Sequence, residues 1–150
     1  MTYTIKEVSE KTEISIYTLR FYDKQGLLPF VARNSSGYRA FTDGDLSLIH
    51  TISCLKNTGM TIKDIRRYID YVMQGPATIQ QRVALLSAHR EKVEAQQRKI
   101  AQNLQEIDYK LNVYQSPNAV ATVTKEQKFV QEEKMANQLP NPYAETILSK

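Results

Sequence analysis

The chain has 150 residues, of which 41% are hydrophobic and 24% charged, a composition typical of a globular protein rather than a disordered one. No stretch approaches 18 uncharged apolar residues and the N-terminus lacks an apolar signal core, so we expect a cytoplasmic protein with no membrane partner. One cysteine cannot form an internal disulfide, and a formal net charge of +4 only weakly favours nucleic acid as a partner.

Two short helices are predicted at the start of the chain. Thr4 is placed to cap the first, and Glu7, three residues on, completes a capping box. Ser15 is placed to cap the second, which runs through "IYTLRFYDK" and stops at Gly26. Two helices joined by so few residues fit a helix-turn-helix motif.

A β-hairpin is predicted directly after this motif. Pro29 ends any helix, and Phe30-Val31 and the run "YRAF" at 38–41 are predicted to form two short strands around the polar turn "RNSSG". A hairpin at this place after a helix-turn-helix is commonly called a wing, so the pattern predicts a winged helix-turn-helix.

Two further helices complete the predicted N-terminal domain. The third is capped by Thr42 or Asp43 and runs to about residue 57, and the fourth is capped by Thr61. The Gly-Pro pair at 75–76 breaks the fourth helix.

A long helix with an unbroken heptad pattern is predicted next, over residues 79–115. A single helix cannot bury such a stripe alone, so we expect it to pair with a second copy of the chain. Arg90 and Gln97 interrupt the stripe at a-like positions of the heptad. We expect these polar side chains to set the register and orientation of the partner helix, a role favoured over contact with a ligand. The predicted dimer seam contains Val83, Leu86, Arg90, Val93, Gln97, Ile100, Leu104, Ile107 and Leu111.

The tail, residues 116–150, follows a break at Ser116-Pro117. It is expected to be partly helical, near Thr124–Asn137, or disordered, with fraying of the last residues.

Candidate DNA contacts lie on the second helix, the wing and the fourth helix. A recognition helix must reach base edges and its neighbours must hold phosphates, for which arginine, tyrosine, threonine and lysine are suited. Packing of Tyr38 at the root of the wing is the structural alternative for that residue. The predicted DNA-binding residues are Tyr17, Thr18, Arg20, Tyr22, Arg33, Tyr38, Arg39 and Lys63.

Three blocks in order, "TLRFYDKQGLL", "GYRAFTDGDLSLI" and "LKNTGMTIKDI", resemble the DNA-binding domain of the MerR family of bacterial transcription regulators. The resemblance covers about residues 3–71, although Phe21 stands where the family more often has tyrosine. It implies a winged helix-turn-helix domain over 1–75, a coiled-coil dimerisation helix over 76–115, and a short tail over 116–150.

The resemblance also implies how such a protein acts. Members pair through an antiparallel coiled coil and bind pseudo-palindromic operators in double-stranded promoter DNA. An effector then changes the bend or twist of the DNA, which realigns the promoter elements for RNA polymerase. No cofactor is expected.

Cys54 is the candidate for sensing the effector. It falls off the apolar stripe of the third helix, and His50 lies one helical turn before it. A single cysteine here, with no large effector domain, resembles the AdhR/NmlR-like branch, which responds to aldehydes and thiol stress. Cys54 is a candidate for sensing a small-molecule electrophile. The alternative, that it only packs against a partner helix, is favoured by the tendency of free cysteine to pack as a small hydrophobic residue.

Other function classes fit the sequence less well. The two histidines and one cysteine do not predict a metal site, and no nucleophile–base pair or phosphate-binding glycine loop indicates an enzyme. Two alternatives remain open: a regulator of this family that responds to an unidentified small molecule, with Cys54 only structural, or a coiled-coil adaptor that does not bind DNA.

Overall fold

The computed structural model of the chain describes residues 1–143. It contains two compact units, Met1–Gln96 and the part that begins at Gln97. The elements in chain order are α1 (Ile5–Thr12), α2 (Ile16–Lys24), β1 (Ala32–Arg33), β2 (Arg39–Ala40), α3 (Asp43–Asn57), α4 (Ile62–Met73), a 3-10 turn (Gly75–Thr78), α5 (Ile79–Gln115) and α6 (Ala119–Ala136). The predicted fold class, mainly helical with a winged helix-turn-helix and a long helix, is confirmed.

Side-chain caps set the starts of the first four α-helices, as the sequence predicted. The Thr4 hydroxyl accepts a hydrogen bond from the Glu7 amide, and the Glu7 carboxylate accepts one from the Thr4 amide over 2.8 Å. The hydrogen bond from the Thr4 backbone lowers the pKa of Glu7, because it stabilises the ionised form. A second capping box begins α3 at Thr42, and single hydroxyl caps begin α2 and α4.

The core of the first unit joins its four short helices to the root of the hairpin. Helical periodicity places one apolar side of each helix inward. The fully buried side chains on helices are Val8 of α1, Leu19 of α2, Ile49 and Ile52 of α3, and Ile65 and Ile69 of α4. Leu27 and Phe41, which lie between the helices, are also fully buried. This core holds α2 and the wing in fixed positions.

The wing differs in detail from the prediction. Its strands have only two residues each, with Ala32 opposite Ala40 and Arg33 opposite Arg39. The prediction that Phe30-Val31 forms the first strand is wrong because Val31 is buried in the core, 3% exposed.

Phe41, at the end of the second predicted strand, and Asn34, in the turn, make contacts outside the hairpin ladder. Phe41 is buried and forms an isolated bridge with Tyr3 instead of extending the hairpin ladder. The Asn34 side chain accepts hydrogen bonds from the amides of Ser36 and Tyr38, which closes the turn.

The long helix is confirmed as α5, and α6 is longer than predicted. Its first residue is Ala119, not Thr124, because the three residues Ser116, Pro117 and Asn118 form a turn, closed by a bond from the Ala119 amide to the Ser116 carbonyl, after which the chain is helical again. None of the helices in residues 1–143 combines the length and apolar character needed to cross a bilayer. The predicted fraying of the last residues concerns 144–150, which lie outside the described part.

Candidate nucleic-acid interface

One side of α2 is open to solvent along its length. Tyr17 is 82% exposed and Arg20 is also exposed, whereas Leu19 and Tyr22 point into the core. This division follows from the 3.6-residue period, since 17 and 20–21 share one side of the helix and 19 and 22 the other. The second helix of the motif therefore presents aromatic and cationic groups outward, as a recognition helix must.

A groove of about 370 Å³ lies between α2 and the wing. It brings together four of the predicted DNA-binding residues, which are far apart in sequence. It is lined by Thr4, Ile5, Arg20, Asp23, Arg33, Tyr38 and Arg39. Three arginines against one aspartate make this surface electropositive, which suits a phosphate backbone.

Arg39 is engaged within the protein. Its Nε donates to Asp23 Oδ2 over 3.1 Å and its Nη2 donates to Asp23 Oδ1 over 2.6 Å, while Nη1 donates to the Val31 carbonyl. Two parallel bonds between a guanidinium and a carboxylate fix both orientation and distance. Arg39 therefore ties β2 to α2; its predicted contact with DNA remains a prediction.

Tyr22 has a structural role that the sequence analysis did not assign to it. It is 3% exposed, within the core, and burial raises the pKa of its hydroxyl because the charged phenolate is poorly solvated there. The sequence predicts that the Tyr22 hydroxyl donates to a phosphate. That contact remains a prediction for a side chain that lies mainly in the core.

The remaining predicted contacts surround the groove. Tyr38 is 72% exposed, which argues against the alternative that it packs at the root of the wing. The Arg33 guanidinium donates to the Gly37 carbonyl over 2.8 Å, and Thr18 accepts a bond from the Ser15 hydroxyl over 2.9 Å. Lys63 is exposed in the first turn of α4, outside the groove.

Cys54 and His50 are both exposed on α3. The prediction that Cys54 lies off the core stripe is confirmed for the single chain. In residues 1–143, no three His, Cys, Asp or Glu side chains come close enough to hold a metal ion.

The predicted seam is distributed over both units. In the first unit, Leu86 packs partly against the core and Val93 is half-buried, while Val83 and Arg90 are exposed. In the second unit every predicted seam residue is exposed: Gln97, Ile100, Leu104, Ile107 and Leu111.

Sequence reasoning missed several polar residues that shape the first unit. Asp23 was counted only as a charge, since nothing in the sequence shows that its partner lies 16 residues away. Arg82, His89 and Gln96 were also missed, although they repeat every seven residues beside the predicted seam. Arg82 and Gln96 donate hydrogen bonds to backbone carbonyls within the first unit, and His89 Nε2 forms a hydrogen bond with the Thr58 hydroxyl.

The fold and the groove define a winged helix-turn-helix protein of the DNA-binding class. Residues 3–72 match the family model described as "MerR HTH family regulatory protein", and residues 46–109 match "MerR, DNA binding". The chain belongs to the MerR family of transcription regulators.

Individual relatives agree with this assignment. An uncharacterised helix-turn-helix transcriptional regulator from Haemophilus influenzae is 45% identical over 82% of this chain and 91% of its own length. The regulator AdhR from Bacillus subtilis is 30% identical over 59% of this chain and 64% of its own length. The crystal structure of HiNmlR, a MerR family regulator lacking the sensor domain and bound to promoter DNA, has a TM-score of 0.73 and 45% identity over 81% of this chain and 96% of that one. These relatives are regulators and not enzymes.

Proposed function

We propose that the chain acts as a homodimer that binds a pseudo-palindromic promoter operator, distorts it and thereby controls transcription by RNA polymerase. The observation that carries this proposal is the groove in which Arg20 of α2 lies beside Arg33 and Tyr38 of the wing. Contacts from a recognition helix to bases and from a wing to the adjacent backbone fix one register on the duplex. The 45% identity to a regulator solved on promoter DNA supports the same reading.

Pairing of two chains is supported by the exposed apolar row of α5. Ile100, Leu104 and Ile107 are 66%, 52% and 55% exposed, at a spacing of four and three residues. Burying such a row yields about 25 cal/mol per Å² of apolar surface, which favours association with a matching helix. A second copy supplies that helix, and a two-fold dimer then matches a palindromic site.

A mobility-shift titration tests DNA binding. The probe is a duplex from the region upstream of the chain's own gene, and the control is a shuffled duplex of the same length and composition. We expect retardation of the first at protein concentrations that leave the second free, with affinity that falls as salt rises. Equal retardation of both duplexes contradicts recognition of a specific operator, and retardation of neither at low salt favours an adaptor that does not bind DNA.

We further propose that Cys54 senses reactive aldehydes or oxidants. Its exposure supports this, because a cysteine that served only the core of its own chain would be buried. In the aldehyde reaction the sulfur bonds to the carbonyl carbon, the C=O π bond opens, the carbonyl oxygen takes a proton from water, and the thiol proton passes to water. The product is a hemithioacetal. The alternative is a regulator that answers another small molecule, with Cys54 packed against the partner chain.

Replacement of the thiol separates these two readings. We expect Cys54→Ser to retain operator binding and to lose induction by formaldehyde in a reporter assay, because a hydroxyl is a far weaker nucleophile than a thiolate. Thr51→Ser, a change on the same helix, serves as the control and retains induction. Normal induction of the Cys54→Ser chain would reject the sensing role.

A further inference from the structure

Thr58 ends α3 and forms hydrogen bonds in two directions. Toward its own helix, the Thr58 amide donates to the Cys54 carbonyl over 3.1 Å and the Thr58 hydroxyl donates to the same oxygen over 2.8 Å. Toward α5, the Thr58 hydroxyl lies 2.7 Å from His89 Nε2, and its carbonyl accepts a bond from Gln96 Nε2 over 3.3 Å. One residue thus contacts both helices.

The hydroxyl of Thr58 is shared between α3 and α5. A threonine hydroxyl has one proton and two acceptor lone pairs. It lies 2.8 Å from the Cys54 carbonyl, 3.2 Å from the Leu55 carbonyl and 2.7 Å from His89 Nε2. The tautomer of His89 decides whether Nε2 donates to Thr58 Oγ1 or accepts from it, and in both cases one hydrogen bond joins the two helices.

The side of α5 that makes these contacts is a polar row at seven-residue spacing. His89 and Gln96 hold Thr58, and Arg82, one heptad earlier, donates to the carbonyls of Tyr71 and Gly75 at the end of α4. Successive members of the row lie two helical turns apart on nearly the same side. The row adjoins the predicted dimer seam, so movement of α3 relative to α5 must stretch or break the bonds at Thr58.

We propose that Thr58 is a positioning residue that joins the end of α3 to α5, and that its bond to His89 sets how strongly the bound operator is distorted. This rests on the proposed function. A residue in this place transmits a change at α3, where Cys54 lies, to the helix that carries the seam. Loss of the bond alters the distortion of the DNA but leaves the groove of α2 and the wing intact.

Fluorescence energy transfer between dyes at the two ends of the upstream duplex, at saturating protein, measures the distortion. Thr58→Val keeps the branched shape and removes the hydroxyl, and His89→Leu removes the imidazole that bonds to it. We expect both to shift the transfer efficiency in the same direction, and the double variant to shift it no further than either single one. His89→Gln, whose side-chain amide offers both a donor and an acceptor, restores the wild-type value.

The controls separate positioning from damage to the fold. Thr51→Val removes a hydroxyl that donates only within α3, to the Ser47 carbonyl over 3.2 Å, and leaves the transfer unchanged. Operator affinity of all variants stays within about twofold of wild type, as for substitutions away from the contact surface. If Thr58→Val fails to fold, Gln96→Leu removes the exposed second bond and is expected to shift the transfer in the same direction.

Two results separate failure of this role from failure of the proposed function. A wild-type chain that retards no duplex overturns the proposed function and this role with it. A wild-type chain that binds and distorts the operator, while Thr58→Val, His89→Leu and Gln96→Leu match it in transfer efficiency, overturns this role alone. Additive shifts in the double variant overturn the Thr58–His89 coupling.

Discussion

Asp23→Asn tests whether the ion pair between α2 and the wing holds the DNA-binding surface in shape. The substitution preserves the size of the side chain and removes its charge. The carboxylate accepts two hydrogen bonds from Arg39, over 3.1 and 2.6 Å. Within residues 1–143, no other residue of the two hairpin strands forms a side-chain hydrogen bond with α2.

The cost in stability follows from the geometry and exposure of the pair. Hydrogen bonds to charged groups contribute about 1.5–3 kcal/mol each, but the two side chains keep 28% and 32% of their exposure, so solvent screens them. Fully exposed pairs contribute only about 0.2–1 kcal/mol. An intermediate loss of about 1–2 kcal/mol is expected, measured as the free energy of unfolding in urea.

The effect on DNA affinity has opposite signs under the two readings of Arg39. If Arg39 braces the wing, Asp23→Asn frees the wing and weakens operator binding by about fivefold, or about 1 kcal/mol. If Arg39 mainly contacts phosphate, the substitution releases its guanidinium and removes a negative charge, so binding tightens. Asp70→Asn, on the exposed side of α4, makes the same change in net charge and is the control. Tighter binding by Asp23→Asn alone refutes the bracing role.

Two further predictions concern stability. Because the pKa of Tyr22 is raised on folding, its contribution to the free energy of unfolding is complete below the pKa of an unfolded tyrosine, about 10, and is lost as pH rises through the folded value. Tyr22→Phe should therefore move alkaline unfolding, followed by circular dichroism, to higher pH, and an unchanged midpoint would contradict this. Because the pKa of Glu7 is lowered on folding, its contribution to stability is complete above the unfolded value and is lost as pH falls through the folded one. Thr4→Ala, which removes the hydroxyl of the capping box, should cost about 1 kcal/mol near neutral pH and less in acid. A cost independent of pH in urea titrations would argue against the capping box.

Local signals in the sequence were sufficient to place most helices. The hydroxyl of Ser15 and the Thr4–Glu7 pair act within a single helical turn, so their effect is readable from a few neighbouring residues. The heptad pattern over α5 is equally direct, because spacing of apolar residues along one helix needs no knowledge of the rest of the chain.

Contacts between distant segments were not readable in the same way. Val31 was predicted to lie in a strand because its β-branched side chain suits one, but in the folded chain it precedes the strand and its side chain is buried in the core. The partners of Arg39 and Thr58 lie 16 and 31 residues away, and only the folded chain brings them together. For the candidate interface, the sequence predicted the residue types and their elements but not which arginine is held by a carboxylate.

The most direct test of the account compares Arg20→Ala with wild type on the upstream duplex. Arg20 is exposed on α2 and lines the groove, and loss of one base-contacting arginine costs about 1–3 kcal/mol in binding. Arg98→Ala removes the same charge from an exposed site of α5 outside the seam and is the control. The account predicts that Arg20→Ala weakens retardation by about fivefold or more while Arg98→Ala leaves it unchanged. Equal affinities of the two variants, or no retardation by the wild-type chain at low salt, would contradict it.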